Sequence, residues 1–225
     1  MRSIGLKEKQ GKVLPIKWIV ALSGLLLFAF LLSEVFENQI LTIDFIANDF
    51  FQTYIRREWL TPYMNALTQL GGRNFLSLMA LGALIFIKDK EIRIVIPLNL
   101  ALSGLVHQFF KILIHRPRPS EFALIIQAGY SFPSGHSLSS MAIYGFLIYL
   151  IYHRVEDQRK RRLLIGLLSL LIVLIGLSRV YLGVHYISDV LAGFSLGLTF
   201  LIAFCSFFER KRKKNPSSIQ GQVLL

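Results

Sequence analysis

Apolar residues along this chain gather into long runs separated by short polar or charged clusters, and the runs approach the length needed to cross a bilayer. The pattern predicts six helices: Trp18 to Leu32, about Tyr63 to Ile87, Ile92 to Ile114, Ser134 to Tyr152, Leu163 to Leu177, and Tyr186 to Phe208. The first run lacks a small-residue cleavage site and reads as a retained helix rather than a signal peptide. Gly71-Gly72-Arg73 marks a local break in the second, and Pro97 a kink in the third. Residues 34–61 mix acids with Phe36, Ile40, Ile43, Phe50, Phe51 and Tyr54 at roughly helical spacing, which predicts an amphipathic segment lying in the interface. The expected fold is therefore all-α: a polytopic membrane protein with six transmembrane helices and an interfacial segment between helices 1 and 2.

Composition agrees with this class. The 225 residues carry a formal net charge of +12 with 54% hydrophobic residues, too apolar for a soluble protein that basic. Such charge can point to nucleic acid, but its distribution argues against that partner. Six helices put both termini on one side. That side collects 18 of the 25 basic residues: the segment 1–17, Lys88 to Arg93, Arg154 to Arg162, and the tail Arg210-Lys211-Arg212-Lys213-Lys214. The positive-inside rule then makes both termini cytoplasmic. The expected organisation is a basic N-terminal segment 1–17, a membrane domain 18–208, and a basic tail 209–225 with a disordered end. The lone Cys205 sits in the last apolar run, where it reads as packing.

Seven basic residues remain for the outer face: Arg56, Arg57, Arg73, Lys111, Arg116, Arg118 and Arg179. Three polar stretches there carry candidate chemistry. In Ser178-Arg179-Val180-Tyr181-Leu182-Gly183-Val184-His185-Tyr186-Ile187-Ser188-Asp189, Asp189 lies four residues after His185 and faces the same way on a helix. A carboxylate there can take one imidazole N–H, fix the tautomer and leave the other nitrogen free to attack. Arg179 can hold an anion in front of it. In Lys111-Ile112-Leu113-Ile114-His115-Arg116-Pro117-Arg118-Pro119, Lys111 and Arg118 reach one point if the helix ends between them. In Pro133-Ser134-Gly135-His136, a helix start offers backbone N–H groups to an anion, and His136 stands beside it to protonate a leaving oxygen. No cluster of carboxylates or Cys/His pairs suggests a metal, so no metal or other cofactor is expected and the basic side chains take over its role.

Lys111-x6-Arg118-Pro119, Pro133-Ser134-Gly135-His136 and Ser178-Arg179-x5-His185-x3-Asp189 resemble the three signature motifs of the type 2 phosphatidic acid phosphatase superfamily, in order and spacing. The resemblance spans Lys111 to Asp189. Leu67-Thr68-Gln69-Leu70-Gly71 and the six-helix layout, similar to the bacterial phosphatidylglycerophosphatase B type, extend it more loosely. It implies that His185 attacks phosphorus and Asp189 holds it. His136 would protonate the leaving alkoxide and then activate water, while Lys111, Arg118, Ser134, Gly135 and Arg179 cradle the phosphate oxygens.

The expected partners are a membrane lipid phosphate and the bilayer, and the expected place is the plasma membrane with the site facing outward. Undecaprenyl diphosphate, phosphatidylglycerol phosphate and phosphatidic acid all fit, and oligomeric state is open. A phosphotransferase or lipid A-type phosphatase using the same residues is the enzymatic alternative, and a non-catalytic binder or transporter of anionic lipid is the other. His107 reads as a packed polar residue, and Arg116-Pro117 as a duplicate of Arg118-Pro119 without the motif spacing from Lys111.

Overall fold

The computed structural model describes residues 13–119, 121 and 123–214, with side chains from residue 16 to residue 212. The basic residues Arg2, Lys7, Lys9 and Lys12 and the polar end beyond Lys214 lie outside the described residues.

Among those residues there are helices and no strands: α1 (Val13–Asn38), α2 (Thr42–Phe50), α3 (Thr61–Gln69), α4 (Arg73–Phe86), α5 (Lys90–Leu113), α6 (Gly135–Arg154), α7 (Gln158–Tyr181) and α8 (Ile187–Lys214). A single π-helical turn, Phe51–Ile55, continues α2. Among the described residues, four stretches are long and apolar enough to cross a membrane: Ile16–Asn38, Lys90–Leu113, Gln158–Tyr181 and Ile187–Arg212. Their outward faces present Leu, Ile and Phe, such as Leu26, Phe30, Leu105 and Leu170. Such faces suit lipid and not water, and the protein is membrane-embedded.

Helix ends depart from the apolar runs because caps, not hydropathy, decide where a helix begins. Asp157 accepts from the N–H groups of Arg159 (2.8 Å) and Lys160 (3.1 Å), so the basic stretch before Leu163 becomes the first turn of α7. Asp89 does the same for α5 through Glu91 (3.0 Å) and Ile92 (3.2 Å). The expected second helix is two, α3 and α4, parted at Gly71-Gly72. The segment expected to lie in the interface forms the end of α1, then α2 and its π turn. On α2, Asp44 and Asn48 are buried while Ile43, Phe45, Ile46 and Phe50 are exposed. The tail begins as helix, since α8 runs on to Lys214.

α8 is the central post, packed on α6 and α1. Half of its apolar length is buried, against 28% for α1 and α5. Gly193 makes the α6–α8 approach possible, because a Cβ there would stand 2.6 Å from the Ser134 carbonyl oxygen. Phe28, Leu31, Ile114, Phe132, Leu138 and Leu196 fill the space between α1, α5, α6 and α8.

The bundle has two chemically different ends. At one, ion pairs tie the elements together: Lys17–Glu209 at 3.0 Å, Arg154–Asp89 at 2.6 Å and Arg212–Glu91 at 3.3 Å. At the other, α5 and α7 finish, α6 and α8 begin, and α2 lies alongside. The three motifs meet at that second end.

Candidate active site

His185 follows the end of α7 and precedes α8, and it is 2% exposed. Starting α8 at Ile187 puts Asp189 in its first turn, facing back toward the imidazole. Asp189 Oδ2 lies 3.3 Å from His185 Nδ1 and accepts the Tyr186 N–H at 2.9 Å. Arg118 Nη1 stands 3.0 Å from His185 Nε2. A guanidinium can only donate, so the network assigns the ring proton to Nδ1 and the lone pair to Nε2. Burial, followed by the positive charges of Arg118, Arg179 and Lys111, holds the His185 pKa well below the ordinary histidine value. Both causes favour the neutral imidazole.

Each cation is anchored by a different element. Lys111 is in the last turn of α5. Arg118, on the segment leaving α5, also donates to the carbonyls of Val184 (2.6 Å) and Gly129 (2.9 Å), which straps the loop before α6 to the histidine. Arg179, buried in the last turn of α7, has Nη1 on Thr68 Oγ1 at 2.8 Å and Nη2 on Gln127 Oε1 at 2.9 Å. Its Nε has no partner among the described residues. Thr68 thus brings the Leu67–Gly71 segment into the site.

The start of α6 faces these groups. Ser134 is the N-cap, and its Oγ accepts the Ser137 N–H at 3.4 Å and the Ser137 hydroxyl at 3.0 Å. Its own N–H goes to the Asp189 carbonyl at 3.0 Å, so the α6 start is fastened to α8. Ser134 is consequently buried, and Gly135 and His136, not Ser134, form the cavity wall. In the first turn, the N–H groups of Gly135 and His136 have no acceptor in a preceding turn. His136 lies against the α3–α4 break: a Cβ on Gly71 would come within 3.4 Å of its ring and 2.5 Å of Ile175. Glycine leaves room for both side chains.

A cavity of about 630 Å³ joins the parts. Lys111, Arg118, His136 and His185 line it with the polar Arg73, Ser77 and Gln108, and Leu76, Leu100, Gly104 and Ile112 of α4 and α5 add apolar wall. Its wall thus carries both cationic and apolar groups.

Four residues join the site that the motif spacing did not single out. His107 lines the cavity with its ring on Gly135, and its buried Nε2 lacks a partner among the described residues. Its place inside the apolar α5 favoured packing; a histidine one turn before Lys111, on the same helix face, was the available hint. Gln127 meets Arg179 from a loop without a motif. Arg116, read as a duplicate, is 3% exposed and bonded to Asp189 Oδ1 at 2.5 Å and to Asp44 Oδ2 at 2.6 Å. Asp44, on α2, is fully buried; an acid on the inner face of an interfacial helix was the clue.

The family model of the PAP2 superfamily matches residues 94–213, more than half of the chain. Phosphatidylglycerophosphatase B of Bacillus subtilis is 32% identical over 163 residues, covering 71% of this chain and 80% of that protein. A crystal structure of a transmembrane PAP2-type phosphatidylglycerolphosphate phosphatase from Bacillus subtilis is similar with a TM-score of 0.74 and 29% identity, over 84% of this chain and 96% of the other. LpxE of Aquifex aeolicus shares the fold with a TM-score of 0.62 at 22% identity, over 75% of this chain and 98% of that one.

Proposed function

The chain belongs to the PAP2 superfamily and is a membrane lipid phosphatase, and we propose that it releases phosphate from a lipid phosphate or pyrophosphate at the outer membrane face through a phosphohistidine on His185. The observation that carries this reading is the bonding of His185, with Nδ1 toward Asp189 and the Nε2 lone pair toward Arg118.

In this mechanism the phosphate enters between Arg118 and His185, and Lys111, Arg118, Arg179 and the N–H groups of Gly135 and His136 balance its charge. Ser134 serves the cradle by capping α6. Nε2 attacks phosphorus, the P–O bond to the lipid breaks, and His136, protonated in the substrate complex where the negative charge of the phosphate lies beside it, gives its proton to the leaving oxygen. His136, now neutral, takes a proton from water as that water attacks the phosphohistidine. Inorganic phosphate leaves and His185 returns neutral. The basic side chains supply the charge stabilisation, and the proposed reaction requires no metal.

The proposed topology has six spans, α1, α4, α5, α6, α7 and α8, with both termini cytoplasmic in a plasma membrane. The clustering of basic residues at the ion-paired end supports that orientation. The apolar residues Leu76, Leu100 and Ile112 in the cavity wall support entry of a lipid tail. The proposed phosphatase domain is 18–208, flanked by the basic segment 1–17 and tail 209–225.

The test is phosphate release by the purified protein in detergent with a chelator present, using undecaprenyl diphosphate, phosphatidylglycerol phosphate and phosphatidic acid. Turnover that survives chelation and is lost in His185→Ala supports the reading, and the fastest lipid names the role. A metal requirement or full activity without His185 would overturn it, and lipid binding without turnover would favour an anionic-lipid binder.

A further inference from the structure

Behind His185, away from Arg118, four buried side chains form a closed network. Arg116 Nη1 donates to Asp189 Oδ1 at 2.5 Å and to Ser188 Oγ at 2.8 Å, Nη2 donates to Asp44 Oδ2 at 2.6 Å, and Nε donates to the Gln39 carbonyl at 2.6 Å. Asp44 accepts the Ser188 N–H at 2.9 Å and the Ser188 hydroxyl at 2.8 Å. The Arg116 guanidinium also stacks 4.3 Å from the centre of the Tyr186 ring. One cation is thus clamped between two carboxylates, and both carboxylates are inaccessible to water.

A buried charge network of this kind is a poor source of stability, because desolvating the ions offsets most of their attraction. It is a good source of geometry. A guanidinium fork fixes the planes of the carboxylates it bridges. With Oδ1 held by Arg116, Asp189 has only Oδ2 left for His185, and the carboxylate cannot rotate away from the imidazole. Asp44 in turn keeps Arg116 from swinging toward the cavity, where the substrate phosphate would attract it.

The geometry points to Asp44 and Arg116 as positioning residues that act on His185 through Asp189, extending the line of contacts to Asp44–Arg116–Asp189–His185. This rests on the reading of His185 as nucleophile. The line begins on α2, whose other face exposes Phe45, Ile46 and Phe50. The interfacial helix is thereby part of the machinery that aims the nucleophile.

The experiment compares wild type, the isosteric Asp44→Asn, Asp189→Asn, and the double variant, all purified in detergent and checked for folding by thermal melting. It reads kcat and KM on a lipid phosphate and, by calorimetry, the affinity for orthovanadate, a mimic of pentacoordinate phosphorus. Asp44→Asn should lower kcat about tenfold or more, leave KM within about twofold, and weaken vanadate to a similar degree as kcat. In the Asp189→Asn background, Asp44→Asn should weaken vanadate no further, since its effect passes through Asp189. Ser188→Ala, which removes two hydrogen bonds and no charge, should show a smaller loss of the same kind and serves if Asp44→Asn does not fold. Unchanged kcat in both folded variants, or an equal vanadate loss in both backgrounds, would overturn the inference. Failure of the nucleophile reading is seen separately, as wild-type activity that persists in His185→Ala.

Discussion

Arg116 and Arg118, separated by Pro117, bond opposite ends of one histidine–aspartate pair. Arg116 Nη1 meets Asp189 Oδ1 at 2.5 Å, and Arg118 Nη1 lies 3.0 Å from His185 Nε2. The repeated Arg-Pro is therefore two devices. The first arginine holds the carboxylate from behind, and the second faces the nitrogen where phosphorus would arrive.

Removing Arg118 should change how His185 titrates. Burial comes first among the causes of its lowered pKa, and Arg118 is the first-ranked charge that adds to it. Loss of that cation stabilises the imidazolium, so the pKa rises in Arg118→Ala. Imidazole NMR of labelled protein should show wild-type His185 still neutral where an ordinary histidine has protonated. The variant should begin to protonate nearer the ordinary histidine range, and the acid limb of its residual kcat/KM should move to higher pH. An unmoved titration would remove Arg118 from the field around the nucleophile.

His136 should matter in proportion to the basicity of the leaving group. A lipid alkoxide needs a proton as it departs, and p-nitrophenolate does not. His136→Ala should slow phosphoenzyme formation from a lipid phosphate by roughly 10² to 10⁴ and from p-nitrophenyl phosphate far less. Single-turnover kinetics on the two substrates would separate them. Equal losses would assign the acid elsewhere, with His107, whose ring rests on Gly135, as the next residue to change.

Much of the fold is legible as hydropathy, because a bilayer demands long apolar runs and charge between them. The departures have local causes. α7 starts early because Asp157 caps it, and the helix parts at Gly71-Gly72, where Ile175 and His136 occupy the space a side chain would need. The candidate site is legible where its residues sit at fixed spacing on one element, as His185 and Asp189 do. Arg116 and Asp44 are 72 residues apart and meet only when α2 folds back on the site. A one-dimensional pattern of spacing carries no trace of that contact.

Gly193→Ala tests the fastening of α6 to α8. The new methyl would meet the Ser134 carbonyl oxygen, which is backbone and cannot rotate aside. Overpacking of this kind costs about 1–3 kcal/mol, and it should displace the α6 start together with Gly135 and His136. A lowered melting temperature in detergent with a disproportionate fall in kcat is expected. Wild-type stability and turnover would mean that the two helices can separate freely.

Orientation can be read with single cysteines, since the native Cys205 is buried. Ile126→Cys, in a fully exposed position beside the site, should react with a membrane-impermeant maleimide on intact cells. Glu156→Cys, in the link between α6 and α7 at the ion-paired end, should react only after permeabilisation. The reverse pattern would turn the site to the cytoplasm.

The most direct measurement is a search for the phosphoenzyme itself. Turnover of a labelled lipid phosphate would be quenched in alkali within the first cycle and the protein mapped by mass spectrometry. One alkali-stable, acid-labile phosphate on the peptide bearing His185, absent from His185→Ala, is the predicted result. Turnover by the wild-type protein with no phosphate on that histidine at any quench time would contradict the account.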